Sequence, residues 1–255
     1  GVVTLELSQL AEAIIQVCLE GVWKRLIEKK PEFEEFQDKF CVMALGKLGG
    51  RELNYSSDID FVAVCDPGDR GFELAHRLAT VMEHLRSDLS KHTEQGYLFR
   101  VDLRLRPYGE SGELVSTIPG ILKYYRDHAL LWEIQAALKM RPVAGNLKIG
   151  LELMDKLRPI IMKRRPREAI VQSIEKMRKA AIEKNEKALG GATVDVKSGE
   201  GGVRDIEFLV QGLQLIYGAG YPELMEGNTV KAIKLLENLS ILPSDVANTL
   251  VEDYY

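Results

Sequence analysis

The chain has 255 residues, 45% hydrophobic and 28% charged, enough for one large or two modest folded domains. Its formal net charge of −4 leaves no global basic field, so nucleic acid is not an expected partner. No apolar run reaches the length of a bilayer span and no signal peptide is visible, so a cytoplasmic protein without a membrane partner is expected.

Residues 5–29 carry Leu7, Leu10, Ala11, Ile14, Ile15, Val17, Leu19, Val22, Trp23 and Leu26 at helical spacing, and Pro31 ends the pattern. Residues 40–45 read as a short strand. The segment Gly46-Lys47-Leu48-Gly49-Gly50 then reads as a glycine turn, a polar loop follows, and Asp58-Ile59-Asp60 heads a second strand, 58–64. Side chains alternate along a strand, so Asp58 and Asp60 share one face while Ile59 and Phe61 point into the core. Two carboxylates side by side repel unless a cation lies between them. Mg²⁺ favours oxygen ligands and completes its shell with water and phosphate oxygens. Glycines lack Cβ and let backbone approach a phosphate closely. A bare Asp-x-Asp is most simply a strand start with two solvated acids; the glycine turn upstream shifts the reading to a metal–nucleotide site. The three cysteines, Cys18, Cys41 and Cys65, match neither a disulfide framework nor a zinc site.

Asp66-Pro67-Gly68-Asp69 reads as a turn and 72–91 as a helix. His76, His84 and His92 recur at intervals that rotate each about 80° from the last on a helix, so they do not converge on a metal. Residues 97–105 read as a third strand, with Asp102, Arg104 and Arg106 on one face and Val101, Leu103 and Leu105 on the other. An acid with two arginines admits two readings: an Asp–Arg ladder on a solvated face, or a third metal-side carboxylate flanked by phosphate-binding guanidiniums. The upstream aspartates put the second ahead.

Residues 108–112 read as a turn, and 118–127, 130–141, 147–164 and 167–189 as helices punctuated by Pro142, Pro159 and Pro166. Trp132-Glu133 reads as packing plus an ion pair. A glycine-rich stretch at 190–202 precedes a helix at 203–217, on which Arg204, Glu207 and Gln211 share a face. Glycines before a helix can seat an anion, although a loose connection is the plainer reading. Helices at 228–238 and 244–255 close the chain. Gly1 is not an initiator Met and the last helix has no cap or polar tail, so the chain is expected to be a piece of a longer protein, truncated at its C-terminus. The expected class is α+β, with a small mixed sheet of four to five strands in 1–117 and a mainly helical region in 118–255.

Gly46-Lys47 followed by Asp58-Ile59-Asp60 and Asp102 is similar to the nucleotidyltransferase superfamily that includes DNA polymerase β. The fuller strings narrow the resemblance. Gly46 through Asp60, then Arg104-Leu105-Arg106-Pro107-Tyr108-Gly109-Glu110-Ser111-Gly112, then Gly201-Gly202-Val203-Arg204-Asp205-Ile206-Glu207-Phe208, resemble three blocks of the glutamine synthetase adenylyltransferase/adenylyl-removing family. The resemblance covers about residues 40–255. It implies a nucleotidyltransferase core and a protein fused from two similar halves. One half transfers AMP from ATP to a tyrosine of glutamine synthetase; the other removes it by phosphorolysis, releasing ADP.

The resemblance also implies roles. Asp58 and Asp60 would hold two Mg²⁺ ions and Asp102 would ligate one of them. Gly46, Lys47, Gly49, Gly50 and Ser57 would contact the nucleotide's phosphates. Arg104, Arg106 and Arg204 would anchor inorganic phosphate, with Glu207 in support. Asn54, Ser56, Ile59 and Arg204 match the removing half. Lys47 stands where many superfamily members carry Ser, as it does in this family, and Asp205 replaces the commoner Glu. ATP or ADP and inorganic phosphate are the implied small substrates, glutamine synthetase the protein substrate, and a PII-type signal protein the regulator of the full-length enzyme. The alternatives are the adenylylating half and a non-catalytic regulatory nucleotide-binding copy. An RNA- or antibiotic-directed nucleotidyltransferase is disfavoured by the acidic balance and by the third block.

Overall fold

The computed structural model describes residues 1–68, 71–189 and 201–254, with 184–189 by backbone alone. Residues 190–200 of the expected glycine-rich stretch, and Asp69 of the expected turn, lie outside the described residues. Contacts divide the chain into two units: Gly1–Ala129 with Lys139–Leu157, and Leu130–Leu138 with Arg158–Tyr255.

The first unit contains helix α1 (Val2–Lys29), strand β1 (Phe40–Ala44), the single turn α2 (Gly46–Gly49), β2 (Ile59–Cys65), α3 (Phe72–Ser90), β3 (Val101–Asp102), β4 (Val115–Thr117), α4 (Ile118–Asp127) and β5 (Arg141–Gly145). Helix α5 (Leu131–Ala137) belongs to the second unit, and α6 (Leu147–Ile161) begins in the first. The mixed sheet runs β3-β2-β1-β5. β1 is antiparallel to both β2 and β5, while β3 and β4 pair in parallel with opposite ends of β2. This is the expected α+β architecture.

Alternation explains the core. Phe40, Val42 and Ala44 of β1 and Ile59, Phe61, Ala63 and Cys65 of β2 join one buried cluster with Ile15, Leu19 and Val22 of α1 and Leu78, Met82 and Leu85 of α3. Trp23 meets Phe40 edge-on, ring centroids 5.9 Å apart. On the opposite sheet face Cys41 and Met43 meet Gly150 of α6, where a Cβ would lie 2.9 Å from Cys41 Sγ and 2.8 Å from Met43 Sδ. All three cysteines are free, and burial pushes the Cys41 and Cys65 thiols up to about 12.

Three expectations change. By length and composition α1 could cross a membrane, so one apolar run does reach that length; in this fold Ala11, Ile15, Leu19, Val22 and Leu26 on one of its faces are buried in the core. The strand expected at 97–105 shrinks to Val101–Asp102, because after Asp102 the chain leaves the sheet in a loop and returns to the same edge of β2 as β4. The helix expected at 130–141 stops at Ala137, and Arg141–Gly145 forms β5 instead. Pro142 is tolerated there because, among the described residues, β5 pairs with β1 alone and is an edge strand.

The second unit is helical: α5, α7 (Arg167–Leu189), α8 (Val203–Tyr217), α9 (Thr229–Asn238) and α10 (Ser244–Tyr254). A Cβ at Gly212 would lie 2.5 Å from Ile174 Cδ1, so glycine allows α7 and α8 to pack closely. Buried Gln214 donates to the carbonyls of Leu224 (2.6 Å) and Glu226 (2.8 Å) and pins the loop before α9. Asn228 then caps α9 by accepting from the Lys231 N–H at 3.0 Å.

Phe40→Ala empties a fully buried site beside Trp23. It is expected to destabilise the first unit by about 3–5 kcal/mol, read as a lower urea midpoint by Trp23 fluorescence in a Trp132→Phe background.

Candidate active site

The glycine turn is built against an acid. Gly46 has φ +55°, a region that favours glycine, and a Cβ there would collide with the Asp60 carboxylate. The Leu45 N–H donates to the Asp60 carbonyl at 2.8 Å, tying the turn to β2. A Cβ at Gly49 would collide with the Lys139 carbonyl, so this glycine makes room for protein backbone. Arg141 fastens the turn from β5: its guanidinium donates to the carbonyls of Leu48 and Gly49 (2.8 Å each) and pairs with Glu12 of α1 at 2.5 Å. Lys139 and Glu52 form an ion pair of 2.8 Å whose side chains are only 7% and 6% exposed. Lys47, half-buried, lies on the turn, and Gly50 follows it in a buried position.

The sheet register brings the acids together. Asp60 of β2 is the direct partner of Asp102 in the parallel β2–β3 pair, and neighbouring strands lie about 4.8 Å apart. Asp58 stands just before β2, with Ser57 in the turn where the Ser57 N–H donates to the Asn54 carbonyl at 3.1 Å. Each flanking acid meets an arginine. Arg100 pairs with Asp58 and donates to the Ser56 carbonyl at 2.8 Å. Arg104 folds back on Asp102 with its backbone N–H (2.8 Å), Nε (2.9 Å) and Nη2 (2.5 Å). These bonds hold the Asp102 carboxyl below its usual range, with a smaller contribution from the Arg106 charge. The Asp58 and Asp102 carboxylates in turn raise Arg100 and Arg104.

Arg106 has a different employment. It donates to the carbonyls of Leu103 (2.9 Å), Glu110 (2.7 Å) and Gly112 (2.9 Å), and so closes the loop between β3 and β4. A cavity of about 410 Å³ opens here, lined by Asp58, Arg86, Arg100, Asp102, Arg104 and Arg106 among others. The sequence reading missed Arg86 and Arg100. Arg100 carried a signal, since it shares the parity of Asp102, Arg104 and Arg106; Arg86 reaches the cavity from α3 and carried none.

The donors suit a hard divalent cation: carboxylate oxygens on one edge of the sheet, with a glycine where a side chain would obstruct Asp60. Among the described residues no three His, Cys, Asp or Glu side chains close around a common point, because Asp58 and Asp102 are turned to their arginines.

The third block lies in the second unit. Asp205 accepts from Arg178 Nε (2.8 Å) and Nη2 (2.9 Å) and from the Gly201 N–H (3.0 Å), at the N-terminal end of α8. Arg178 is the main cause of its lowered pKa. Glu207 accepts from the Tyr254 hydroxyl at 3.2 Å, and Arg204 is half-buried on the first turn of α8. Gln211 accepts from Gln135 at 2.7 Å.

Residues 2–156 match the family described as glutamate-ammonia ligase adenylyltransferase, and residues 171–255 match that described as GlnD PII-uridylyltransferase. Several relatives carry the name bifunctional glutamine synthetase adenylyltransferase/adenylyl-removing enzyme. That of Streptomyces coelicolor is 37% identical over 236 residues, covering 91% of this chain and 23% of its own. That of Hahella chejuensis is 34% identical over 262 residues, covering 99% of this chain and 27% of its own. That of Idiomarina loihiensis is 36% identical over 266 residues, covering 97% of this chain and 27% of its own. The chain thus spans about a quarter of the length of these relatives.

Asp102 and Asp205 both have lowered folded pKa values, so the stability they contribute is present above the ordinary 3.8 and lost as pH falls through the lower folded values. Arg178→Met is therefore expected to make the melting temperature fall less steeply below pH 4 than in the wild type. Gly46→Ala forces a side chain onto the Asp60 carboxylate in a left-handed turn. It is expected to cost about 1–3 kcal/mol in chemical denaturation.

Proposed function

The chain belongs to the glutamate-ammonia ligase adenylyltransferase family, and we propose that it is the half of such an enzyme that removes AMP from adenylylated glutamine synthetase by phosphorolysis. The observation that carries this reading is the pairing of Asp60 with Asp102 across β2 and β3, under the glycine turn and beside an arginine-lined cavity. The choice of half rests on the likeness of Asn54, Ser56, Ile59 and Arg204 to the removing half. The match of residues 171–255 to a PII-uridylyltransferase family supports a PII-type signal protein as regulator of the longer protein.

In the proposed reaction an oxygen of inorganic phosphate attacks the phosphorus of the AMP group. The bond from that phosphorus to the tyrosine oxygen breaks, ADP forms, and the tyrosine oxygen takes up a proton. Asp58, Asp60 and Asp102 would hold Mg²⁺, which when bound neutralises charge on the transferring phosphoryl group. The chain's own part is positioning. Gly46 lets the turn, with Lys47 on it, close on Asp60, Gly49 lets it close on the Lys139 backbone, and Arg141 ties down the turn's Leu48 and Gly49 carbonyls. Arg104 stands on the loop after β3, where its guanidinium can meet phosphate oxygens once it leaves Asp102.

The test uses purified protein with Mg²⁺ and adenylylated glutamine synthetase, with and without inorganic phosphate. ADP release that depends on phosphate is the expected result, with loss of at least about 100-fold in Asp58→Asn at an unchanged melting temperature. AMP transfer from ATP onto unmodified glutamine synthetase, without phosphate-dependent ADP, would assign the other half.

A further inference from the structure

We propose that the cavity between α3 and the β3–β4 loop binds the phosphate-type anion that lies beyond the α-phosphorus of the nucleotide, and that Arg86 and Arg100 anchor it together with Arg104. This rests on the nucleotidyl-transfer reading above and extends it to Arg86 and Arg100, which lie outside the motifs that carry that reading.

The argument begins with charge. Arg86, Arg100, Arg104 and Arg106 line the cavity against Asp58, Asp102 and Glu110. Arg106 is committed to three backbone carbonyls and shapes the wall. Arg100 and Arg104 are held by Asp58 and Asp102, but their side chains are 60% and 65% exposed. The Arg100–Asp58 pair is exposed on both sides and so weak in water; Asp102 is only 17% exposed, so Arg104 leaves it when a cation takes over the carboxylate. Arg86 is exposed on α3 and joins no ion pair among the described residues. Guanidiniums from α3 and from residues on either side of β3 thus border one hollow, a geometry suited to the several oxygens of a phosphate.

The same geometry couples two ligands. A divalent cation on Asp58 and Asp102 takes over the carboxylates and frees Arg100 and Arg104 for an anion. Without the cation, both guanidiniums stay with the acids and the cavity's charge is nearly balanced. Phosphate should therefore bind better when a divalent cation is present, and the cation better when phosphate is present, by the same factor.

Two sources share this chemistry: inorganic phosphate, and the pyrophosphate part of a nucleoside triphosphate. Calorimetric titrations of the whole chain with inorganic phosphate and with pyrophosphate, each with Mg²⁺ and with EDTA, separate them. Binding of either anion that weakens at least tenfold without Mg²⁺, and about tenfold in Arg86→Gln, is the expected result; the anion that binds more tightly identifies the source. Arg77→Gln, also on α3 but paired with Glu73 outside the cavity, is expected to match the wild type. The proposal is overturned if neither anion binds, if Arg86→Gln binds like the wild type, or if Arg77→Gln weakens binding equally. Phosphate-dependent ADP release is scored separately. Its absence alongside Arg86-dependent anion binding would overturn the deadenylylating reading and leave the subsite standing.

Discussion

The first unit depends on the close approach of a glycine turn to an aspartate. Asp60 extends from β2 into the space that a Cβ on Gly46 would occupy. The turn can sit there because Gly46 accepts a left-handed φ, and it stays because Arg141, Lys139 and Glu52 secure its far side. The site is therefore assembled from three distant stretches that the sheet brings together: the end of β1, the start of β2 and the start of β5. Its precision comes from backbone packing, which changes less readily than side-chain rotamers.

The ionic interactions of this unit fall into two kinds. Lys139–Glu52 is buried, so removing one partner would strand a charge, an effect worth about 3–5 kcal/mol. Arg100–Asp58 lies at the surface of the cavity and is far cheaper to break, while Arg104–Asp102 joins an exposed guanidinium to a carboxylate only 17% exposed. A buried pair thus holds the scaffold, while more exposed pairs occupy the groups proposed for metal and anion. That division suits a site whose charged side chains must exchange partners as ligands come and go.

Much of this was legible in the sequence because it followed from period and spacing. Alternation placed Ile59 and Phe61 in the core with Asp60 on the other face. The helical period of α1 buried Ala11, Ile15, Leu19, Val22, Trp23 and Leu26, while Leu10 and Val17, also read into that stripe, are exposed. The failures have physical reasons. Residues 97–105 alternate as a strand does, yet only Val101 and Asp102 pair, because Arg106 draws the following segment into a closed loop. The helical reading ran from 130 to Arg141, and only tertiary pairing with β1 makes Arg141–Gly145 a strand. Arg86 was invisible because nothing local says which exposed residue of a helix will border a cavity.

The two arginines of the Arg104-Leu105-Arg106 block illustrate how one motif can contain two functions. Period two places them on the same face, and on that basis they look equivalent. The structure separates them by what their guanidiniums touch. Arg106 meets backbone carbonyls that cannot leave, so its charge is spent on the shape of the loop. Arg104 meets a carboxylate that a cation can claim, so its charge remains transferable. Because the first fixes the loop on which the second sits, the arginine proposed to meet the anion is positioned by the structural one. A motif of this kind sets a residue bound to backbone beside one bound to a carboxylate, and only the partner atoms tell them apart.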